Sequence, residues 1–130
     1  MLLLMMNSRV YGQQALRFAE RRKREDDAPR LHAEVPKLET LQLDIEDRSG
    51  VIDGTRHTRR VVVDRAPALF LVRCGESKCT SDEHDLTNVV MRALRAGETT
   101  LHGEDACRGT VGDTPCTHLL KFTGVATYHA

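Results

Sequence analysis

The chain has 130 residues, enough for one core of modest size with an appended segment, and its 19 basic residues are matched by 19 acidic ones, which argues against a surface that is basic all over. Aromatic residues make up only 4% and Trp is missing, so stacking platforms for single-stranded nucleic acid are poorly supplied. No apolar run approaches the roughly 18 residues of a membrane span, and no membrane partner is expected.

Met1 to Met6 is apolar, but it has neither a basic flank before it nor a small-residue cleavage site after it, so it does not read as a secretory signal. Either Met5 or Met6 is the true initiator or the run is an apolar tail. A cytoplasmic setting of bacterial type is expected, in which thiols stay reduced.

Ser8 to about Arg24 reads as a helix, with Tyr11, Ala15, Phe18 and Arg22 on one face and Val10 and Ala19 beside them. Arg9, Arg17, Arg21, Arg22, Lys23 and Arg24 face one acid, Glu20, across this stretch. The pattern breaks at Glu25-Asp26-Asp27-Ala28-Pro29. Two roles compete for the helix. It packs its narrow apolar stripe on the rest of the chain with its arginines in solvent, or its basic cluster lies along a phosphate backbone. Residues 1–30 are read as a basic helical segment and residues 31–130 as a metal-stabilised α+β domain.

Leu31 to Pro36 reads as a linker. In Thr40 to Glu46, Leu41, Leu43 and Ile45 alternate with Gln42, Asp44 and Glu46, the signature of a half-buried strand. Arg48 to Gly54 reads as a loop, and Val61, Val62 and Val63 favour a second strand over about His57 to Asp64. The charge alternates along the way. Leu31 to Gly54 is acidic, including Glu34, Glu39, Asp44, Glu46 and Asp47, whereas Arg56, Arg59, Arg60, Arg65 and Arg73 form a second basic block against Asp64. A third strand, Ala68 to Arg73, runs into Cys74, giving an antiparallel meander.

Thr80 to His84 is polar and loop-like. Asp85 is a candidate N-cap for a helix from Leu86 to Ala96, whose apolar face carries Leu86, Val89, Val90, Ala93 and Leu94 and which stops at Gly97. A short strand over Glu98 to His102 leads on to Cys107, and a last strand spans His118 to Tyr128 with Leu120, Phe122, Val125 and Tyr128 inward and a bend at Gly124. The expected fold class is therefore α+β: an N-terminal helix, an antiparallel sheet of about five strands, and one helix between the third and fourth strands.

The chemistry lies in the cysteines. Cys74-x4-Cys79 and Cys107-x8-Cys116 supply four thiolates, the full ligand set of a closed tetrahedral zinc site. Without an export signal, two disulfides are the weaker reading beside a metal or four free thiols. Cys74 and Cys107 each follow a predicted strand, and each is followed by a glycine-containing loop that returns a second cysteine. Over residues 74–116 this resembles a zinc ribbon, a resemblance that implies two loops delivering four sulfurs to one point. Spacings of four and eight depart from the Cys-x2-Cys knuckle of that group. His84 and His118 are competing ligands, with a cap or surface position as the plainer reading of each.

Enzyme signatures are missing. Neither cysteine pair has the Cys-x2-Cys redox spacing, Pro115-Cys116 lacks the second cysteine of the Pro-Cys-x2-Cys element of zinc deaminases, and no phosphate-binding or nucleophile motif occurs. The expectation is a small zinc-binding module, not an enzyme, that contacts nucleic acid through Arg17, Arg21, Arg22, Lys23, Arg24, Arg56, Arg59 and Arg60. RNA, with ribosomal RNA as one candidate, is favoured over DNA because the sequence shows no base-reading helix. The alternative is a structural or protein-interaction subunit whose basic helix meets an acidic protein surface.

Overall fold

A computed structural model describes residues 2–49, 52–76, 79–80 and 83–130; of residues 2–11, 13–14, 49 and 52–55 it describes the backbone alone. The centre is a four-stranded antiparallel sheet in the order β2-β1-β8-β5, formed by β1 (Leu38–Ser49), β2 (Ile52–Val61), β5 (Thr100–Ala106) and β8 (His118–Tyr128). Alternation sets its faces. Leu41, Leu43 and Ile45 are buried while Asp44 between them is exposed, and across the ladder Ile45 stands opposite Phe122 and Leu43 opposite Gly124. A Cβ on Gly124 would lie 2.8 Å from Leu43 Cδ2 and 3.2 Å from the Gln42 carbonyl, so the glycine lets two central strands close over Leu43.

Helix α3 (Thr87–Arg95) covers the buried face with Val90, Met91 and Leu94, joined by Leu86 just before it. Each such side chain contributes roughly 1.5–3 kcal/mol when fully buried. The start is held by Asp85 Oδ1, which accepts the Thr87 N–H at 3.0 Å. At the other end Gly97 has φ +72°, and the Gly97 and Glu98 N–H groups bond the Leu94 and Ala93 carbonyls, a Schellman stop. Nothing lies within 4 Å of where a Gly97 Cβ would be, so Gly97→Ala meets only the cost of a left-handed backbone. We expect a loss of about 1 kcal/mol, a fall of roughly 4 °C in Tm by calorimetry.

Two small ribbons stand apart from the sheet. One pairs β3 (Leu71–Arg73) with β4 (Glu83–Asp85), the other β6 (Thr110–Val111) with β7 (Thr114–Pro115). The class is α+β as expected, but the described residues form eight strands in three sheets instead of about five in one. The third predicted strand shrinks to β3 and leaves the meander, because the polar stretch read as a loop supplies its partner: His84 pairs with Val72 and is itself buried. Where a loop was expected at Arg48 to Gly54, β1 continues to Ser49 and β2 begins at Ile52, earlier than predicted. The predicted linker is the short helix α2 (Leu31–Glu34), because Leu31 and Val35 both drop into the core.

Two inward assignments, Val89 and Val125, change for one reason, the phase of the element. On α3, Met91 is buried and Val89 is 41% exposed. β8 continues through Gly124 without interruption, so its alternation persists and puts Ala126 inside and Val125 outside.

Helix α1 (Leu2–Asp27) is longer than the predicted segment, and the described part of its stripe does not pack. Ala15 and Ala19 are exposed and Phe18 is 63% exposed; Val10 and Tyr11 fall among the residues whose side chains are not described. The stripe is too narrow to hold the helix, and polar contacts near its C-terminus do so instead. Arg24 meets Glu83 at 2.6 Å, and Arg30, just past the helix, reaches the Glu25 and Ala28 carbonyls. No helix among the described residues is long and apolar enough to cross a membrane.

Candidate metal centre

The two ribbons carry the cysteines. Cys74 follows β3 and Cys79 lies in the loop before β4, while Cys107 follows β5 and Cys116 follows β7. The four Sγ atoms lie within 4.8 Å of one another, with Cys74 to Cys116 at 3.8 Å and Cys79 to Cys107 at 3.3 Å. A tetrahedron of sulfurs each about 2.3 Å from a metal has edges of about 3.8 Å, whereas a disulfide needs about 2.05 Å. All four cysteines are free thiols at these separations, so the donor set fits a closed four-sulfur metal site and leaves no position for a substrate.

Local backbone geometry repeats in the two loops. The Glu76 N–H bonds the Cys74 sulfur and the Gly109 N–H bonds the Cys107 sulfur, each from two residues downstream. Those donors favour thiolate, but burial outweighs them: it pushes the Cys74 thiol far up and the Cys107 thiol to about 11. A cation among the sulfurs reverses that preference, since it replaces the thiol protons and supplies the missing positive charge.

The loops are tied together and to the sheet. Thr80 N–H bonds the Thr110 carbonyl at 2.9 Å and Thr110 N–H bonds Thr80 Oγ1 at 2.8 Å, while the Cys107 N–H bonds the His118 carbonyl at 3.0 Å. Asp47, on β1 and 7% exposed, accepts the Gly75 N–H on Oδ2 at 2.6 Å and the His118 Nδ1–H on Oδ1 at 2.7 Å. One carboxylate thus fixes the residue after Cys74 and the residue two beyond Cys116. Gly75 permits this, because a Cβ there would sit 2.5 Å from Asp47 Oδ2.

Neither histidine belongs to the four-sulfur group, and neither is the cap or surface residue of the plainer reading. The His84 side chain is fully buried and its Nδ1 lies 2.8 Å from Asp105 Oδ2, linking the β3–β4 ribbon to β5. His118 is held by Asp47 with its side chain 14% exposed. Sequence reasoning missed Asp47 and Asp105. A signal was present, since both continue an inward series, Asp47 after Leu41, Leu43 and Ile45, and Asp105 after Leu101 and Gly103. A charged residue at an inward position needs a partner.

The basic residues expected to form a nucleic-acid surface are scattered and partly engaged. Arg21 and Arg24 reach Glu83 at 3.6 and 2.6 Å, and Arg56 reaches Glu46 at 3.4 Å on the outer face of the sheet. Arg59 turns inward, half-buried, with its guanidinium donating to the Leu71 carbonyl. Arg17, Arg22, Lys23 and Arg60 are exposed, and among the described residues Arg22, Lys23 and Arg60 have no ion pair. No protein-family model matches the chain, no curated protein matches it, and no solved structure matches its fold.

Proposed function

We propose that Cys74, Cys79, Cys107 and Cys116 hold one zinc ion and that the protein is a zinc-stapled binding module that acts by contact and catalyses no reaction. The observation that carries this is the convergence of four sulfurs within 4.8 Å from two separately anchored loops. Zinc suits a closed thiolate set with a structural role; an iron centre on the same ligands would colour the protein. Elemental analysis of freshly purified protein should find one zinc per chain. Protein that is metal-free while its thiols are reduced would refute the reading.

Of the two contact partners, an acidic protein surface has the better support. The arginines most concentrated in sequence are partly neutralised within the fold, by Glu83 at Arg21 and Arg24 and by Glu46 at Arg56. Nucleic acid, RNA before DNA, would be left with Arg22, Lys23 and Arg60 as cations outside any ion pair among the described residues, on two elements. The discriminating variant changes Arg22, Lys23 and Arg60 to Gln and leaves the internal pairs intact. If RNA is the partner, wild-type protein should retard mixed RNA at low salt, and the variant should flatten the slope of log affinity against log salt by roughly 0.7–0.9 per contact removed. On the protein-contact reading, neither protein retards RNA or DNA.

A further inference from the structure

A groove runs between the C-terminal half of α1, the end of β2 and the Val62–Pro67 turn. It consists of two concavities of about 380 and 340 Å³, which share Glu25, Arg65 and Pro67 in their walls. Phe18 lines one and Val62 the other, and each is 63% exposed. Two large apolar side chains left open beside Pro67 and Leu69 form a patch of the kind that marks an interaction site. Arg22, Arg60 and Arg65 also line the groove, and among the described residues none of their side chains has an acidic partner. Elsewhere the fold pairs its arginines, Arg24 with Glu83, Arg48 with Glu46 and Arg95 with Glu34. Three unpaired guanidiniums therefore line one groove beside these apolar side chains.

The backbone points to the shape of the occupant. Among the described residues β2 lies at the edge of the sheet with β1 as its one neighbour, and its last three residues, Arg59 to Val61, line the groove with Val62 just beyond them. An edge strand offers its free N–H and C=O groups to an extended chain. We propose that this groove binds an extended acidic peptide segment of a partner protein, laid along β2. Its carboxylates sit on Arg22, Arg60 and Arg65, and an aliphatic side chain between them sits against Phe18 and Val62. The proposal rests on the protein-contact reading above. A phosphate backbone fits less well, because Glu25 and Asp26 in the wall repel a ligand charged at every unit more than one charged at every second residue, and Phe18 alone among the lining residues offers bases an exposed aromatic face.

The test uses the full chain, its metal content measured on the same sample, and a fluorescein-labelled heptapeptide of alternating Glu and Val. Saturable binding is expected, together with about a tenfold loss when Arg22, Arg60 and Arg65 are all changed to Gln, the combined effect of three exposed ion pairs. Val62→Asp should weaken binding at least as much, and a peptide with Lys in place of Glu should not bind. Arg56→Gln, on the outer face of the sheet, is the control and should bind like wild type. All these side chains are solvent-facing, so each variant should keep its melting temperature. Failure of the Glu peptide to saturate, equal binding by the triple variant, or a labelled uridine dodecamer displaced by the same three substitutions would overturn the proposal. Metal-loaded protein that ignores the peptide would sink the groove alone, while peptide binding by metal-free protein would sink the zinc reading alone.

Discussion

Replacing Cys107 by Ser is expected to abolish zinc retention and to melt both ribbons while the four-stranded sheet survives. The division follows from size. The β1–β8 ladder runs eleven paired positions and buries Leu43, Ile45, Leu120 and Phe122, whereas β3–β4 has three paired positions and β6–β7 two. Isolated two-stranded ribbons of that length do not persist in water, so on the proposed zinc reading the metal is what holds them. We expect a loss on the order of 4 kcal/mol, a fall of roughly 15 °C in Tm, and amide exchange opening selectively over residues 74–85 and 107–116. Wild-type protein treated with a strong chelator should behave alike. His84→Ala separates the ligand from its surroundings. It leaves a cavity and strips Asp105 of its partner, so its Tm also falls, by an amount set by packing and an orphaned carboxylate. Its zinc content should nevertheless stay at one per chain. A drop in stability without metal loss in Cys107→Ser, or metal loss in His84→Ala, would show that the sulfurs alone are not the ligand set.

How far the sequence discloses this arrangement depends on whether local pattern or tertiary demand decides each element. The bounds of β8, His118 to Tyr128, were legible, though not its phase past Gly124, and so was the stop of α3 at Gly97, where chain chemistry and backbone geometry coincide. The cysteine loops were legible as well, because Arg73 and Ala106 end strands immediately before Cys74 and Cys107. β4 was not. Glu83-His84-Asp85 has no strand propensity of its own, and it becomes a strand because Leu71 to Arg73 needs a pairing partner and Asp105 receives the buried imidazole. The exposed stripe of α1 was misread for the converse reason: amphipathic spacing states which residues could be buried, and ion pairs to Glu83 decide how the helix is held.

Asp47 carries the second large effect. Its carboxylate is the point where β1, the Cys74 loop and the strand after Cys116 meet, and it touches the thiolate residues only through Gly75 and His118. Outer partners that orient a metal's ligands typically contribute 10–100-fold to affinity. Asp47→Ala is therefore expected to raise the zinc dissociation constant by about that factor in competition with a chromophoric chelator. It should also alter the visible spectrum of the cobalt-substituted protein, because the angle between the two loops is no longer fixed. Asp47→Asn keeps one acceptor oxygen and should recover part of the loss. Gly75→Ala forces the same carboxylate aside from the opposite direction and should reproduce the defect without a change in the sheet core. Asp44→Ala removes an exposed carboxylate on the other face of β1, bonded to Thr58, and should leave zinc affinity unchanged. Leu43→Ala guards against a trivial explanation, because it loosens the same strand through its core. If that variant weakens zinc binding as much as Asp47→Ala at matched stability, then Asp47 acts through the sheet alone and the brace between the loops contributes nothing of its own.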